Sequence, residues 1–253
     1  RSGHHPSDGV RAAPAAVVPP HPTRLGAQCR RGGAATHRQA PPCATQSCIW
    51  ESPDGGNSWT LRKQAMDELH GATDLVQDPL QPSLLYASFW GDAIYESTDA
   101  GLTWHKFMNG IPADATFATG GGVRFSLGIS HPSGQSRVLY AGFEWTDGAG
   151  VNQPSQVWKS IAGGAWSLLP SGAAGSPDNV SGYCGTQCFY DNLIGVDPNN
   201  PNIVFVLGLF NYGTGSGGVF RSMDGGQTWK DLGYDLHPYY HPIAIHPANT
   251  SQV

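Results

Sequence analysis

An eight-residue pattern, Ser-x-Asp-x-Gly-x-Thr/Ser-Trp, occurs three times in this 253-residue chain and constrains its fold more than any other feature. A worn fourth copy at 160–166 is one residue shorter and lacks the aspartate. A motif that recurs along a chain indicates a repeat architecture, in which each copy belongs to one structural unit. The three full copies, called boxes below, share the positions Ser52, Asp54, Gly56, Trp59, Ser97, Asp99, Gly101, Trp104, Ser222, Asp224, Gly226 and Trp229.

Each box has the composition of a tight turn between two β-strands. In the last copy, residues 219–222 alternate in strand fashion before the turn and 228–232 resume the alternation after it. Gly225 and Gly226 supply positive φ angles, and the Asp224 carboxylate can accept hydrogen bonds from backbone N–H groups of the turn. Trp229 then fills the space between neighbouring sheets. A feature repeated in every unit is expected to be structural rather than catalytic or metal-binding.

A second repeated signal lies upstream of the boxes, an Asp-Pro or His-Pro turn at positions 78, 131, 197 and 246. Each turn follows a short apolar strand, and the first three precede two further strands, a box or its worn copy, and a fourth strand. Four strands per repeat, with a period of about 50–65 residues, is typical of a β-propeller blade. Complete blades are predicted at 70–108, 123–170 and 189–233, and partial blades at 43–63 and 241–253.

The boxes resemble the Asp box, or BNR repeat, of sialidases, sortilins, xyloglucan-cleaving glycoside hydrolases and plant photosystem assembly factors. The resemblance covers residues 43–253 and implies a β-propeller, but it identifies an architecture better than an activity. We therefore predict an all-β fold, an incomplete β-propeller of four-stranded antiparallel blades with about three full blades and two partial ones. Residues 1–42 show no periodicity and are expected to be disordered or non-native sequence.

Charge and hydropathy narrow the classes of partner. The net charge of −5 divides into +5 over residues 1–42 and −10 over the remainder. An acidic body with few basic residues argues against nucleic-acid binding and is compatible with neutral glycans, basic peptides or calcium. No run of 18 apolar residues occurs, so no membrane span is predicted. Neither a metal site nor a cofactor is predicted.

Five cysteines are present, and four of them form two close pairs, Cys43 with Cys48 and Cys184 with Cys188. Neither spacing matches a Cys-x-x-Cys zinc site, and no histidine pair accompanies them. Local disulfides in an exported protein are the favoured interpretation, which predicts a secreted, periplasmic or cell-surface location.

The candidate site lies on the face of the propeller opposite the boxes. The connections that vary in length are 109–122, 143–156, 171–189 and 209–217, and in propeller geometry all of them emerge on that face. Aromatic rings and carboxylates cluster there, which suits a carbohydrate, whose ring faces stack and whose hydroxyls accept and donate hydrogen bonds. For any single ring, packing of the loop onto the sheet is an equal alternative. Catalytic candidates are Asp191, Asp92, Asp147 and Glu144; substrate-binding candidates are Trp90, Trp145, Tyr183, Tyr212, Tyr239, Tyr240, Arg124 and His241.

Two functions remain open on the sequence alone. The first is a glycoside-hydrolase-like propeller that binds or hydrolyses a polysaccharide on the long-loop face, with two carboxylates as acid and base. Sialidase activity is disfavoured. The resemblance to sialidases implies a three-arginine clamp and a Phe-Arg-Ile-Pro motif, but the sequence contains no such motif. Of the arginines beyond residue 42, only Arg124 is placed to reach the central channel of the propeller. The second is a non-catalytic propeller that binds a protein or serves as an assembly scaffold.

Overall fold

The computed structural model of the chain describes residues 24–28, 48–67, 70–117, 123–185, 187–212, 215–233 and 243–245. Within these ranges the regular structure consists of fifteen β-strands, which confirms the all-β prediction. No helix in the described part of the chain is long and apolar enough to cross a membrane.

The strands form four antiparallel sheets that follow one another along the chain. Each sheet is a simple meander, so neighbouring strands in sequence are also neighbours in space. The first sheet contains β1 (Arg24–Gln28), β2 (Cys48–Ser52) and β3 (Thr60–Lys63), and the second contains β4 (Ala72–Gln77), β5 (Leu85–Phe89), β6 (Ile94–Ser97) and β7 (His105–Lys106). The third sheet contains β8 (Ser126–Ser130), β9 (Val138–Thr146), β10 (Asn152–Ile161) and β11 (Ser167–Leu168). The fourth sheet contains β12 (Leu193–Val196), β13 (Val204–Asn211), β14 (Ser216–Ser222) and β15 (Lys230–Asp231).

The second, third and fourth sheets coincide with the three complete blades predicted from the repeat. Two differences occur at the ends of the chain. Arg24–Gln28 lies within the segment expected to lack structure, yet its backbone pairs with β2, which would otherwise be an unpaired edge strand. At the other end, 243–245 was predicted to open another blade but forms no strand, and the rest of that predicted blade lies outside the described residues.

Two of the predicted long loops are in fact extended hairpins. The segments 143–156 and 209–217 mostly continue the strands of the β9–β10 and β13–β14 hairpins beyond the edge of the sheet. Each hairpin contains a register shift, between Gln153 and Gln156 and between Leu207 and Phe210. The added residues of each hairpin stay paired by backbone hydrogen bonds, while the bulge changes the direction of the side chains beyond it.

A hydrophobic cluster lies between each pair of consecutive sheets, so the sheets pack face to face. The first interface is small and includes Ile49 and Phe89, whereas the second contains the stacked rings of Phe143 and Trp158, with centroids 5.6 Å apart. The third interface, between the third and fourth sheets, contains Tyr140, Val157, Ile194, Val206, Phe220 and Trp229 among others. Successive four-stranded meanders stacked in this way make a propeller-like fold.

Polar side chains join the first strands of neighbouring sheets, here called the inner strands. The Asp74 carboxylate on β4 accepts a hydrogen bond from the backbone N–H of Leu127 on β8 (2.8 Å). The Ser126 hydroxyl in turn accepts one from the N–H of Ile194 on β12 (3.0 Å). These bonds hold β4, β8 and β12 side by side, and the apolar clusters fan outward from them.

In each box, hydrogen bonds to the aspartate carboxylate close the turn, as the sequence predicts. The Asp224 carboxylate accepts hydrogen bonds from the Thr228 N–H (2.9 Å), the Thr228 hydroxyl (2.6 Å) and the Ser222 hydroxyl (2.8 Å). Asp54 and Asp99 make the equivalent bonds in their own turns. Each aspartate thus satisfies backbone and side-chain donors within its own turn.

The tryptophans of the last two copies connect one sheet to the sheet before it. The Trp166 indole donates to the carbonyl of Phe107 (2.9 Å), and the Trp229 indole donates to the carbonyl of Pro170 (3.0 Å). Both carbonyls lie just beyond the outermost strand of the preceding sheet, and both indoles are buried. The two earlier box indoles instead bond to the glycine carbonyl of their own turn.

We expect Gly226→Ala to destabilise the fold more than Gly56→Ala at the same box position. Both glycines have positive φ, 88° and 98°, but a Cβ at Gly226 would lie 2.4 Å from Leu169, whereas at Gly56 it would meet only Trp59 at 3.8 Å. The backbone penalty alone predicts a loss of about 1 kcal/mol for Gly56→Ala, and added overpacking predicts about 2–4 kcal/mol for Gly226→Ala. Urea denaturation of the two variants measures the difference. Equal losses would contradict the close packing of the last box.

Acid is expected to weaken the boxes in a defined pH window. Hydrogen bonds from Thr103, first the hydroxyl and then the backbone N–H, lower the pKa of Asp99 from 3.8 to about 2, and the pKa values of Asp54 and Asp224 fall similarly. A lowered folded-state pKa contributes stability above pH 3.8 that is lost as the pH falls toward 2. Asp99→Asn should therefore lower the denaturation midpoint at pH 7, and the gap from wild type should close near pH 2. A gap of constant size across this range would contradict the prediction.

Candidate functional site

The end of the sheets opposite the boxes is called the hairpin rim. Because every sheet is a meander, the box turns and the Asp/His-Pro turns lie at one end of the strands. The β5–β6, β9–β10 and β13–β14 hairpins and the beginnings of the inner strands lie at the other end. The four catalytic candidates all belong to this rim, but their environments differ.

Asp92, in the β5–β6 turn, is committed to two local partners. The Tyr95 hydroxyl donates to its carboxylate at 2.6 Å, and the Lys106 ammonium lies 2.8 Å from the other oxygen. Burial opposes ionisation, but the hydrogen bonds from Lys106 and then Tyr95 outweigh it and lower the pKa of Asp92. Asp92 is therefore an ionised anchor of its own turn, poorly suited to donate a proton.

Asp147 and Asp191 are also held by the scaffold. The Asp147 carboxylate accepts hydrogen bonds from the N–H groups of Ala149 (3.0 Å) and Val151 (2.8 Å), and so clips the tip of the β9–β10 hairpin. Asp191 has no solvent-accessible surface. Its backbone N–H donates to the Gln187 carbonyl at 2.7 Å. The Asp147 carboxylate thus shapes the hairpin tip, and the Asp191 side chain is enclosed by the protein.

Glu144 lies in a different environment from the other three candidates. It lies on β9 at the register shift, is partly exposed, and makes no hydrogen bond or ion pair within the described part of the chain. Burial raises the pKa of the Glu144 carboxyl group. Glu144 faces the third interface, where its charge contributes to a raised pKa of the Tyr183 phenol, whose main cause is burial. Asp92 belongs to the second sheet, whereas Glu144 faces away from that sheet, toward the third interface.

A buried hydrogen-bond network lies beside Glu144. The Tyr183 hydroxyl donates to the Asn192 side-chain oxygen at 2.5 Å, and the Asn192 amide donates to the carbonyls of Arg124 (2.7 Å) and Gly142 (2.9 Å). A Cβ on Gly142 would lie 2.1 Å from the Tyr183 hydroxyl, so this glycine makes room for the phenol. The Arg124 guanidinium donates to the Tyr190 carbonyl at 2.7 Å. These contacts tie the third and fourth sheets together at the rim.

The aromatic candidates divide into buried and exposed rings. Tyr183 is only 3% exposed, and its hydroxyl is occupied by Asn192, so it packs the loop onto the sheet and offers no face to a ligand. Trp145 packs against the second interface while its indole donates to Gln156, and Trp90 is partly exposed. Tyr212 is 61% exposed. Tyr239, Tyr240 and His241 lie outside the described residues.

The structure joins Cys184 to Cys188 by a disulfide bond. Cys48 is also disulfide-bonded, and its predicted partner Cys43 lies outside the described residues. The described residues contain no group of three or more His, Cys, Asp or Glu side chains that could hold a metal ion.

Sequence reasoning missed two residues of this region, Asp74 and Asn192. Thr73, Ser126 and Asn192 align with one another, each five residues before the Asp-Pro or His-Pro turn of its repeat, yet no role was predicted for Asn192, which connects three segments. Asp74 follows this level by one residue, and burial raises the pKa of its carboxyl group. The usable signal was the alignment itself, since polar residues at one level of adjacent inner strands can reach one another.

No protein-family model matches the chain. The chain is 30% identical over 145 residues to xyloglucanase Xgh74A of Acetivibrio thermocellus, a match covering 56% of this chain and 14% of that enzyme. It is 24% identical over 222 residues to a probable oligoxyloglucan-reducing end-specific xyloglucanase of Neosartorya fischeri, covering 78% and 26%. A xyloglucanase of a Paenibacillus species is 31% identical over 143 residues, covering 55% and 12%. The chain thus spans 12% to 26% of the length of these relatives.

Solved structures give weaker similarity. A GH74 xyloglucanase from Xanthomonas campestris matches 74% of this chain and 27% of its own, with a TM-score of 0.46 and 18% identity. YCF48 from Cyanidioschyzon merolae matches 64% of this chain and 39% of its own, with a TM-score of 0.38 and 17% identity.

We expect Tyr183→Phe to destabilise the protein, with Tyr212→Phe as its control. The first change leaves the buried Asn192 oxygen without its donor, which costs about 1–3 kcal/mol. The second removes a hydroxyl from an exposed ring and should change the stability by less than about 0.5 kcal/mol. Thermal or urea denaturation measures both. Equal stability of the two variants would show that the Tyr183–Asn192 bond contributes nothing net.

Proposed function

We propose that this chain is part of a propeller-type glycoside hydrolase that acts on a xyloglucan-like polysaccharide bound at the hairpin rim. The similarity to three xyloglucanases, over as much as 222 residues, is the observation that carries the proposal. The surface chemistry is compatible with it. The part of the chain beyond residue 42 carries a net charge of −10, which suits a neutral polysaccharide better than an acidic one.

Glu144 is the residue we assign to proton donation. Hydrolysis of a glycosidic bond needs a carboxylic acid that is still protonated near the working pH, so that it can protonate the leaving oxygen. Burial raises the pKa of Glu144 in this direction, whereas the pKa of Asp92 is lowered. Arg124 and the Asn192 network hold the surrounding backbone in place. We assign only this one member of the carboxylate pair to the chain.

Export is part of the same proposal. The Cys184–Cys188 disulfide supports it, because disulfide bonds persist mainly in oxidising compartments outside the cytosol. A polysaccharide substrate would also be met outside the cell.

A non-catalytic propeller that binds a glycan or a protein is the second candidate. The observation that favours it is the structural engagement of three of the four candidate carboxylates: Asp92 in an ion pair, Asp147 in a turn and Asp191 in the interior. The two candidate functions differ in whether the bound polysaccharide is hydrolysed, and one set of variants can measure this.

In the protein of which this chain is part, Glu144→Gln is expected to reduce xyloglucan hydrolysis by about 10²-fold or more while leaving binding intact, because a general acid contributes about 10²–10⁴-fold. Wild-type turnover should also fall as the pH rises through the raised pKa of Glu144. The matched control is Asp147→Asn, which alters a hairpin clip and should retain most of the turnover. Reducing-end release measures hydrolysis, and isothermal titration calorimetry with xyloglucan oligosaccharides measures binding.

Each result of this experiment has a definite meaning. Turnover by wild type that is unchanged in Glu144→Gln would overturn the assignment of the acid. Binding by wild type without turnover would favour the non-catalytic propeller. Neither binding nor turnover of xyloglucan would overturn the proposed function.

A further inference from the structure

The geometry points to a sugar-binding subsite formed by the side chains of Phe189 and Tyr190, which the Cys184–Cys188 disulfide holds in position. This inference rests on the proposed function in naming a carbohydrate ligand. It adds a defined surface to which a neutral β-linked glucan would bind by stacking.

The first observation is the exposure of two consecutive aromatic rings. Phe189 is 51% exposed and Tyr190 is 52% exposed, although the residues on either side, Cys188 and Asp191, are fully buried. Single exposed apolar residues are common on protein surfaces, whereas two exposed rings that follow one another in sequence concentrate apolar surface in one turn. Exposed apolar surface that is concentrated in this way marks a candidate binding surface.

The second observation is that the segment carrying the rings is rigidly built. The disulfide closes the turn, and the Gln187 carbonyl accepts hydrogen bonds from the N–H groups of both Tyr190 and Asp191 at 2.7 Å. The rings are therefore held outward by a fixed backbone. A preorganised surface loses little conformational entropy when a ligand binds.

Contact with the fourth sheet adds to this rigidity. The Tyr183 carbonyl accepts a hydrogen bond from the N–H of Leu209 on β13 at 2.9 Å. A Cβ on Gly208 would lie 2.2 Å from the same carbonyl oxygen, so the segment packs against β13 at a distance that only glycine permits. The disulfide-bonded segment is therefore continuous with the sheet scaffold.

The third observation places the aromatic pair beside the proposed acid. The Arg124 guanidinium donates to the Tyr190 carbonyl, and the Asn192 amide donates to the carbonyls of Arg124 and of Gly142, two residues before Glu144 on β9. The pair thus belongs to the same part of the rim as Glu144. A sugar stacked on the rings would lie next to the reacting centre as a neighbouring binding position.

The chemistry of the surface selects a class of sugar. Flat aromatic rings pack against the apolar faces of pyranoses with equatorial hydroxyls, as in β-linked glucose units, while the hydroxyls remain free for hydrogen bonds. The guanidinium of Arg124 already binds a backbone carbonyl, and the body of the chain is acidic. Both features favour a neutral glucan over a uronate or a sulfated polysaccharide.

The test uses single variants of the intact chain and two probes, cellopentaose and a xyloglucan oligosaccharide. Phe189→Ala and Tyr190→Ala should each weaken binding by about five- to tenfold, whereas Tyr190→Phe should keep near wild-type affinity because the ring remains. The matched control is Met223→Ala, since Met223 is 58% exposed on the opposite, box-bearing end and should have no effect. Calorimetry gives the affinities, and thermal denaturation confirms that each variant is folded.

The role of the disulfide is tested by a Cys184→Ala and Cys188→Ala double variant. It should weaken binding to a degree similar to the loss of one ring, although both rings are still present. Should this variant fail to fold, the two ring variants decide the question alone.

The outcomes separate the subsite from the proposed function. Wild-type binding that is unchanged in Phe189→Ala and Tyr190→Ala overturns the subsite and leaves the hydrolase proposal intact. Cellopentaose binding that depends on the rings, without turnover of xyloglucan, supports the subsite and overturns the hydrolase. Binding of neither probe by wild type overturns the subsite, and xyloglucan turnover then judges the hydrolase independently.

Discussion

A hydrogen bond from a buried indole to the preceding sheet, made by the shortened copy and by the last box, is the interaction on which the stacking of the later sheets depends. Trp166 reaches Phe107 and Trp229 reaches Pro170, and in both cases the acceptor is a carbonyl just beyond an outer strand. A buried indole N–H must find an acceptor, so each bond fixes both the spacing and the relative height of two sheets. The last box shapes its turn with the Asp224 carboxylate, whereas the copy that carries Trp166 lacks the aspartate, and the indoles of the first two boxes bond within their own turns. The bridging indole is therefore the feature that the two later sheets share.

The opposite rim is free to vary because this repeated clamp lies at the other end of the strands. There the sheets are joined by unique contacts, such as Asp74 with Leu127 and Asn192 with the carbonyls of Arg124 and Gly142. Non-repeated polar contacts on a rigid scaffold are where binding sites usually develop. The repeated end thus sets the architecture, and the other end is where the sheets differ from one another.

The repeat period and the alternation of apolar residues were enough to predict the three four-stranded sheets, because both follow from backbone geometry. They did not predict that 143–156 would extend a hairpin, since Pro154 and nearby glycines are typical of loops. Pro154 is accommodated at the register shift of β10, where a missing N–H is tolerated. Composition also could not separate Tyr183, which is buried, from Tyr190, which is exposed. That difference depends on tertiary neighbours such as Asn192 and the Cys184–Cys188 bond.

The fate of the candidate carboxylates shows why a catalytic role has to be argued from environment. Asp92 and Asp147 lie in turns, where N–H groups and cations are close enough to occupy a carboxylate. Glu144 lies on a strand whose backbone donors are used in the ladder, so no donor is left to stabilise its anion, and burial then favours the protonated form. The environment of Glu144 is thus set by its place on a strand, which no count of acidic residues reveals.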